Sequence, residues 1–318
     1  MFWARRVSKV FKSSKEIPID DSSKIVLMSD CHRGDGGFGD NFSKNGNHYI
    51  AALDYYYNNG YTYIEIGDGD ELWEVRNFRH IVEAHEDVFM RLSKFYRENR
   101  LYFIYGNHDM VKKYDKFVEN NLYYYFNEYE KEYVPLFPNI EIHEGLVLKY
   151  QVTGDKIFLI HGHQAEILNN HLWRLARFLV RYLWRPLELH GVNNPTSTAK
   201  NHKKKDKLAK KLTKWVIKEK QMLISGHNHL PMFPEVGSPP YFNDGSCVHP
   251  RCITGIEIVN GNIMLVKWCT KVNKDGILFI ERQIIGGPRK LKDYFNTRRT
   301  YNEPNYRTAK KQKVSESI

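Results

Sequence analysis

Cysteine is scarce in this chain: Cys31, Cys247, Cys252 and Cys269 are the only four in 318 residues. They are too few and too unevenly spaced for a disulfide framework, and no pair has the C-x-x-C spacing of a thiolate zinc site. A reducing, cytoplasmic setting is therefore expected. Long apolar runs are missing as well. None approaches the ~20 residues that a helix needs to cross a bilayer, and the N-terminus lacks the apolar centre of a secretion signal. The chain is expected to be soluble, or at most peripheral at the inner membrane face. Acidic residues are in deficit, 37 against 48 Lys and Arg, for a formal charge of +11. That surplus favours an anionic partner, whether a phosphate-bearing substrate, nucleic acid or an acidic membrane surface, without choosing among them. No internal repeat is visible.

What the chain does contain is an alternation of short apolar runs with helical patterns. Residues 25–28, 61–66, 101–105, 156–160 and 221–225 read as buried strands, each ending in turn residues. Residues 47–59, stopped by Gly60, and 81–98 carry helical spacing between them. After about residue 240 the pattern changes to short strands at 241–242, 253–259, 262–268 and 276–281, with Asn260-Gly261 as a two-residue hairpin turn. The expectation is an α/β fold in which two sheets face each other with helices outside.

Three segments fall outside that alternation. Residues 1–22 form a leader whose first twelve residues mix Phe2, Trp3, Val7, Val10 and Phe11 with Arg5, Arg6, Lys9 and Lys12. It reads as a mobile or locally docked terminus, or as a helix lying on an anionic bilayer. Residues 165–220 form a helical insertion, with helices at 165–184 and 203–218 around a Pro-containing loop. Residues 286–318 read as a basic, poorly ordered tail beyond a domain spanning 23–285.

Metal-ligand residue types stand at the ends of the strands: Asp30 and His32, then Asp68, then Asn107 with His108 and Asp109, then His161 and His163, then His227 and His229. In open α/β sheets the ligand crevice lies beyond the carboxyl ends of the strands, so these loops can converge although about two hundred residues separate the first from the last. Carboxylate, amide oxygen and imidazole without thiolate suit Mn²⁺, with Fe or Zn²⁺ as alternatives, and a hydrolytic rather than a structural site. Cys31, between two of these positions, should point away, because neighbouring side chains at a strand end face opposite sides.

In this order D-x-H, G-D-x-x-E, G-N-H-D, H-G-H and G-H-N-H resemble the calcineurin-like metallophosphoesterase superfamily, over residues from about 24 to 270. The resemblance implies a four-layer α/β/β/α sandwich of two mixed sheets with a helical cap. It also implies two divalent cations: Asp30, His32 and His229 on one, Asn107, His161 and His227 on the other, and Asp68 bridging them. Two such cations can share and acidify a water that hydrolyses a phosphate ester or anhydride without a protein nucleophile. His108 resembles the family's transition-state histidine, with Asp109 as its expected orienting partner.

The segment Gly67 to Trp73 is similar to the G-D-x-x-E-x-W of UDP-2,3-diacylglucosamine pyrophosphohydrolases, which also carry a helical insertion in the corresponding interval. This implies a phosphodiester or pyrophosphate substrate, of the nucleotide-linked lipid type. A departure is His108, where those enzymes typically have Arg. The alternatives are a phosphomonoesterase acting on protein or small molecules, and a nucleic-acid-binding or scaffold protein that retains the fold. Arg33, directly after the first motif, is positioned to meet a substrate phosphate, and His163 is expected to touch substrate. In the insertion, apolar residues from Leu172 to Trp184 cover more than one helical face, fitting either burial on two sides or an apolar face for acyl chains. The lysines of 203–218 lie outside an apolar stripe of Leu208, Leu212, Trp215 and Val216, and lack the interleaved aromatics of a nucleic-acid groove. Nucleic acid is therefore disfavoured against anionic lipid. The turn Asn243 to Ser246 is read as support beneath the site.

Overall fold

The structure is a computed structural model and describes residues 2–128, 130–166, 173–184 and 202–297. Helix α1 (Phe2–Ser13) leads into β1 (Lys15–Ile19), β2 (Lys24–Met28), α2 (Gly46–Asn58), β3 (Thr62–Ile66), α3 (Phe78–Ala84), α4 (Glu86–Arg97), β4 (Leu101–Ile104) and α5 (Asp115–Leu122). A hairpin of β5 (Tyr124–Asn127) and β6 (Glu132–Pro135) precedes β7 (Ile142–His143), β8 (Gly145–Tyr150) and β9 (Asp155–Ile160). Helix α6 (Trp173–Leu179) runs into a wider π-type turn (Val180–Trp184), followed by α7 (His202–Glu219). Strands β10 (Met222–Ser225), β11 (Tyr241–Asn243), β12 (Cys252–Val259), β13 (Asn262–Val272) and β14 (Leu278–Lys290) and helix α8 (Leu291–Thr297) complete the described chain.

Two mixed sheets carry the fold, in the orders β1-β8-β9-β10-β11 and β14-β13-β12-β2-β3-β4-β7. The period-2 alternation of the strands sorts their side chains into layers. Ile25 and Leu27 of β2, Ile64 and Ile66 of β3, and Leu146, Leu148, Ile157 and Leu159 of the other sheet fill the space between the sheets. Val26, Met28, Tyr63 and Phe103 point the other way, against Tyr49, Leu53, Ile81, Phe89 and Leu92 of α2, α3 and α4. Val147, Phe158 and Ile160 meet α1 and α7 on the remaining face. The result is the expected α/β/β/α sandwich; each fully buried Ile, Leu, Val or Phe contributes about 1.5–3 kcal/mol to it.

The parallel neighbours β2, β3 and β4 end at Met28, Ile66 and Ile104, and β9 and β10 in the facing sheet end at Ile160 and Ser225. All five motifs therefore begin at one edge of the sandwich. The predicted hairpin forms with Asn260 at φ 51° and Gly261 at φ 66°, both left-handed as a two-residue turn of this kind requires. The helix predicted at 81–98 is instead two, because His85 leaves helical geometry at φ −129° and its Nε2 donates to Asp40 Oδ2 at 2.7 Å.

At the N-terminus the locally docked alternative is the one found. The leader is built into the sandwich: Val7 and Val10 are buried against Phe158, Leu208 and Trp215, and β1 pairs in parallel with β8. The tail begins later than expected, since β14 extends to Lys290 and Leu291, Tyr294 and Phe295 of α8 enter the inter-sheet core. The residues beyond 297, and the predicted loop of the insertion, lie outside the described residues.

Deleting residues 2–13 is expected to lower the thermal midpoint markedly, because it exposes Val147, Phe158 and Trp215 together. A midpoint equal to that of the full chain would show that α1 is not part of the folded unit.

Candidate metal centre

The site is assembled from turns that glycine and strained backbone make possible. Gly67 sits at φ +82°, and a Cβ there would stand 2.7 Å from the His161 ring. Gly106 is required by proximity alone, since a Cβ would stand 2.1 Å from Asp68 Oδ1. Beyond the glycines, Asp30, His32, Asp68, His227 and His229 all hold φ between 49° and 70°. Non-glycine residues rarely adopt this left-handed conformation, which costs of order 1–3 kcal/mol each and clusters where function demands it.

Each of the two carboxylates has one oxygen secured and one turned inward. Asp30 Oδ2 accepts from the His227 backbone N–H at 2.7 Å and from Ser29 Oγ at 2.6 Å. Its Oδ1 lies 3.0 Å from His229 Nε2 and 3.7 Å from His32 Nε2. Asp68 Oδ1 accepts from the His108 backbone N–H at 2.7 Å, while Oδ2 lies 3.1 Å from His161 Nε2 and 3.9 Å from His32 Nε2. Asp68 thus stands between two groups of donors, Asp30 with His32 and His229, and Asp68 with His161 and His227, each within the span of one ion.

Despite these short distances, Asp30 Oδ1, Asn107 Oδ1 and His161 Nε2 are buried and make no hydrogen bond. A buried oxygen or imidazole nitrogen left so costs about 1–3 kcal/mol, more for a charged group, unless something else satisfies it. Two ligand atoms ~2.1 Å from one cation, at right angles, lie about 3 Å apart, close to the spacing found here. The donors present therefore fit a pair of divalent cations.

The electrostatics agree. Burial disfavours ionisation of Asp68, but His161 and His108 outweigh it and hold its carboxyl well below the usual range. Asp30 is likewise held well down, with His229 and His161 overcoming burial. Burial pushes His161 down, yet Asp68 and Asp30 bring it up to about 9. Beneath Asp30, Asp244 is pushed well up by burial and then by the Asp30 charge, and Ser29 Oγ bridges the two at 2.6 and 2.8 Å. The turn read as support does underlie the site: Ser246 Oγ donates to the Asp30 carbonyl at 3.2 Å, and Asn243 Nδ2 to that of Gly226 at 2.7 Å.

Three expected roles need correction. Arg33 is buried, with its guanidinium committed to Glu65 at 2.7 and 2.9 Å and to Asp70 at 2.7 Å, so it cannot meet a substrate phosphate. His163 has no exposed surface and lies beneath His161 and His227, ring centroids 5.5 and 6.5 Å away, which removes it from a substrate-facing position. Asp109 does not orient His108. It accepts from the backbone N–H of Gly106 at 2.6 Å and of Gly69 at 3.2 Å and pairs with Lys112 at 2.8 Å, clamping the second and third motifs together.

The partner of His108 is Glu71, whose Oε1 accepts from His108 Nδ1 at 2.7 Å while Oε2 accepts from His32 Nδ1 at 2.8 Å. Trp73 stacks on the His108 ring at 4.2 Å. Both residues belong to the G-D-x-x-E-x-W segment, so the signal was there: after a strand end, the positions three and five beyond Asp68 return to the same loop. Glu166, whose Oε2 takes a hydrogen bond from His227 Nε2 at 3.1 Å, had no motif to mark it.

Carboxylates and imidazoles gathered at the carboxyl ends of a facing pair of sheets define a metal-dependent hydrolase. The family model for calcineurin-like phosphoesterases matches residues 23–231, and the chain belongs to that family of phosphate-ester hydrolases. A comparison with curated proteins finds none that matches this chain. Among the described residues, no helix is long and apolar enough to cross a membrane.

Replacing Glu71 by Gln should keep the fold but lower cation affinity or turnover about 10- to 100-fold, the usual cost of losing a carboxylate behind a ligating histidine. Wild-type values for both would show that the Glu71 contacts are incidental.

Proposed function

We propose that the protein holds two divalent cations and hydrolyses a phosphodiester or pyrophosphate bond, in a substrate of the nucleotide-linked lipid type. The observation that carries the metal chemistry is that the donor group of Asp30, His32 and His229 stands beside that of Asp68, His161 and His227, with His32 Nε2 3.9 Å from Asp68 Oδ2, and that buried donor atoms among them make no hydrogen bond. Asp30, His32 and His229 would hold one cation and Asn107, His161 and His227 the other, with Asp68 common to both. Mn²⁺ suits this oxygen and imidazole set, as do Fe and Zn²⁺. Once bound, such ions supply an acidified water and positive charge for the phosphoryl oxygens.

The chain's own groups do the rest. Asp68 sets the spacing between the two subsites, and the backbone clamps on Asp30 and Asp68 fix the inward oxygens. His108, fixed through Nδ1 by Glu71 and faced by Trp73, presents Nε2 for the leaving oxygen.

An amphiphilic substrate is supported by the insertion. Trp173 and Val180 are buried with Trp73, Tyr105 and Met110, and Arg181 donates to the carbonyls of Leu72 and Trp73 at 2.8 and 2.9 Å. The insertion is thereby seated on the loop that holds His108, while Leu175, Phe178 and Tyr182 are exposed by 54%, 58% and 59%. Apolar surface of this kind beside a phosphoesterase site suits an acyl chain. Contact with an anionic membrane would use the outer helices, where Arg5, Lys9 and Lys12 of α1 and Lys207, Lys210, Lys214 and Lys218 of α7 are exposed. With Val7, Val10, Leu212 and Trp215 turned inward, that contact would be electrostatic.

The test is a hydrolysis screen of the Mn²⁺-loaded protein over diesters, monoesters and UDP- or CDP-linked lipids. Nucleotide-linked lipids are expected to be the best substrates, and Asp68→Ala and His227→Ala each to abolish turnover. Phe178→Ser with Tyr182→Ser should raise KM for long-chain substrates several-fold and leave a water-soluble diester unchanged. Preference for monoesters would reassign the protein as a phosphomonoesterase, and full activity of either ligand variant would refute the assigned metal roles.

A further inference from the structure

His32 and His161 share a pattern: one ring nitrogen faces the donor group and the other is tied to the protein. His32 gives Nδ1 to Glu71 and turns Nε2 toward Asp30 and Asp68, at 3.7 and 3.9 Å. His161 gives Nδ1 to the Ile66 carbonyl at 2.7 Å and turns Nε2 toward Asp68. In His227 the order is reversed, because it is Nε2 that meets Glu166 Oε2, at 3.1 Å. With Nε2 so engaged, Nδ1 is the ring nitrogen left for the group that His227 forms with Asp68 and His161.

We propose that Glu166 is the positioning carboxylate of the second cation subsite. By accepting from Nε2–H it selects the tautomer of His227 whose Nδ1 lone pair faces Asp68 and His161, and it makes that nitrogen a better donor. This rests on the binuclear reading above and deepens it. A residue outside every motif, at the root of the helical insertion, sets the affinity of one of the two subsites.

The backbone of Glu166 is fixed well enough for the task. Its N–H donates to the His163 carbonyl at 2.9 Å, closing a single tight turn over His163–Ala165. Ala165 is buried against α7, and its carbonyl accepts from Lys211 Nζ at 2.8 Å. The Glu166 side chain keeps only 19% of its surface exposed, so its interaction with His227 is less screened than a surface pair. Because the residue stands at a turn and not in a packed core, its replacement leaves the sandwich intact.

The experiment is calorimetric titration of the metal-free full-length protein with Mn²⁺. Wild type should take up two cations. Glu166→Ala should weaken one binding step about 10- to 100-fold and leave the other unchanged. Glu166→Gln, which keeps a carbonyl oxygen to accept from Nε2–H, should recover much of the loss. Thermal midpoints of all three proteins in chelator should coincide. Long-range ¹H–¹⁵N spectra of the Zn²⁺-loaded wild type should show His227 protonated at Nε2. Wild-type affinity at both steps in Glu166→Ala, or ligation of His227 through Nε2, would overturn the role of Glu166 alone. Uptake of fewer than two cations by wild type would remove the binuclear reading, and this role with it.

Discussion

The structure is organised around a problem in electrostatics: two carboxylates, Asp30 and Asp68, are taken out of water with one oxygen each left facing other ligand atoms. Removing a charge from water costs several kcal/mol even after relaxation, and that cost must be met by neighbours. The fold meets it from beneath with backbone N–H groups from His227 and His108, and with Ser29 backed by Asp244. From the front it supplies imidazoles. Five of the proposed ligand positions accept left-handed backbone to bring these groups together, and strain of that size persists only where the surroundings over-determine it.

Around that centre runs a second shell of charge that is complete in itself. Arg33 and Lys112 sit among Glu65, Asp70 and Asp109, with ion-pair distances of 2.6–2.8 Å. Because these groups satisfy one another, they act as a brace linking the three parallel strand ends of one sheet. Asp109 is the key member, since its two oxygens hold Gly69 and Gly106 and so set the separation between the loop carrying Asp68 and the loop carrying Asn107.

What the sequence revealed and what it hid follow from the same geometry. The strands that end in proposed ligands were legible because a short apolar run closed by Ser-Asp, Gly-Asp, Gly-Asn, His-Gly or Gly-His is a local signal. Their convergence followed from the rule for the carboxyl ends of parallel strands. Side-chain direction one residue past a ligand was not legible: Arg33 follows His32, yet it turns into the interior, where Glu65 of β3 awaits it. Likewise Asp109, two residues after Asn107, turns down to the glycines and not toward its neighbour His108. Strand β8 went unread although its hairpin partner β9 follows it across residues 151–154, whereas the seat of α1 was hidden because α7, which covers it, lies far along the chain.

The segment Gly67 to Trp73 shows why the insertion and the metal centre belong to one device. Within seven residues it supplies Asp68, the carboxylate proposed to serve both cations, the brace residue Asp70, the histidine anchor Glu71 and the stacking ring Trp73. Its far end is fixed by Arg181 of the insertion, through the carbonyls of Leu72 and Trp73. Both contacts are backbone carbonyls, so they do not depend on the side chains there; moving the insertion would drag the segment as a whole. A shift at Arg181 would thus reach His108 through Trp73 and Glu71, and His32 through the other oxygen of Glu71. The same seat that buries Trp173 therefore also sets the His108 ring, the group proposed to serve the leaving oxygen.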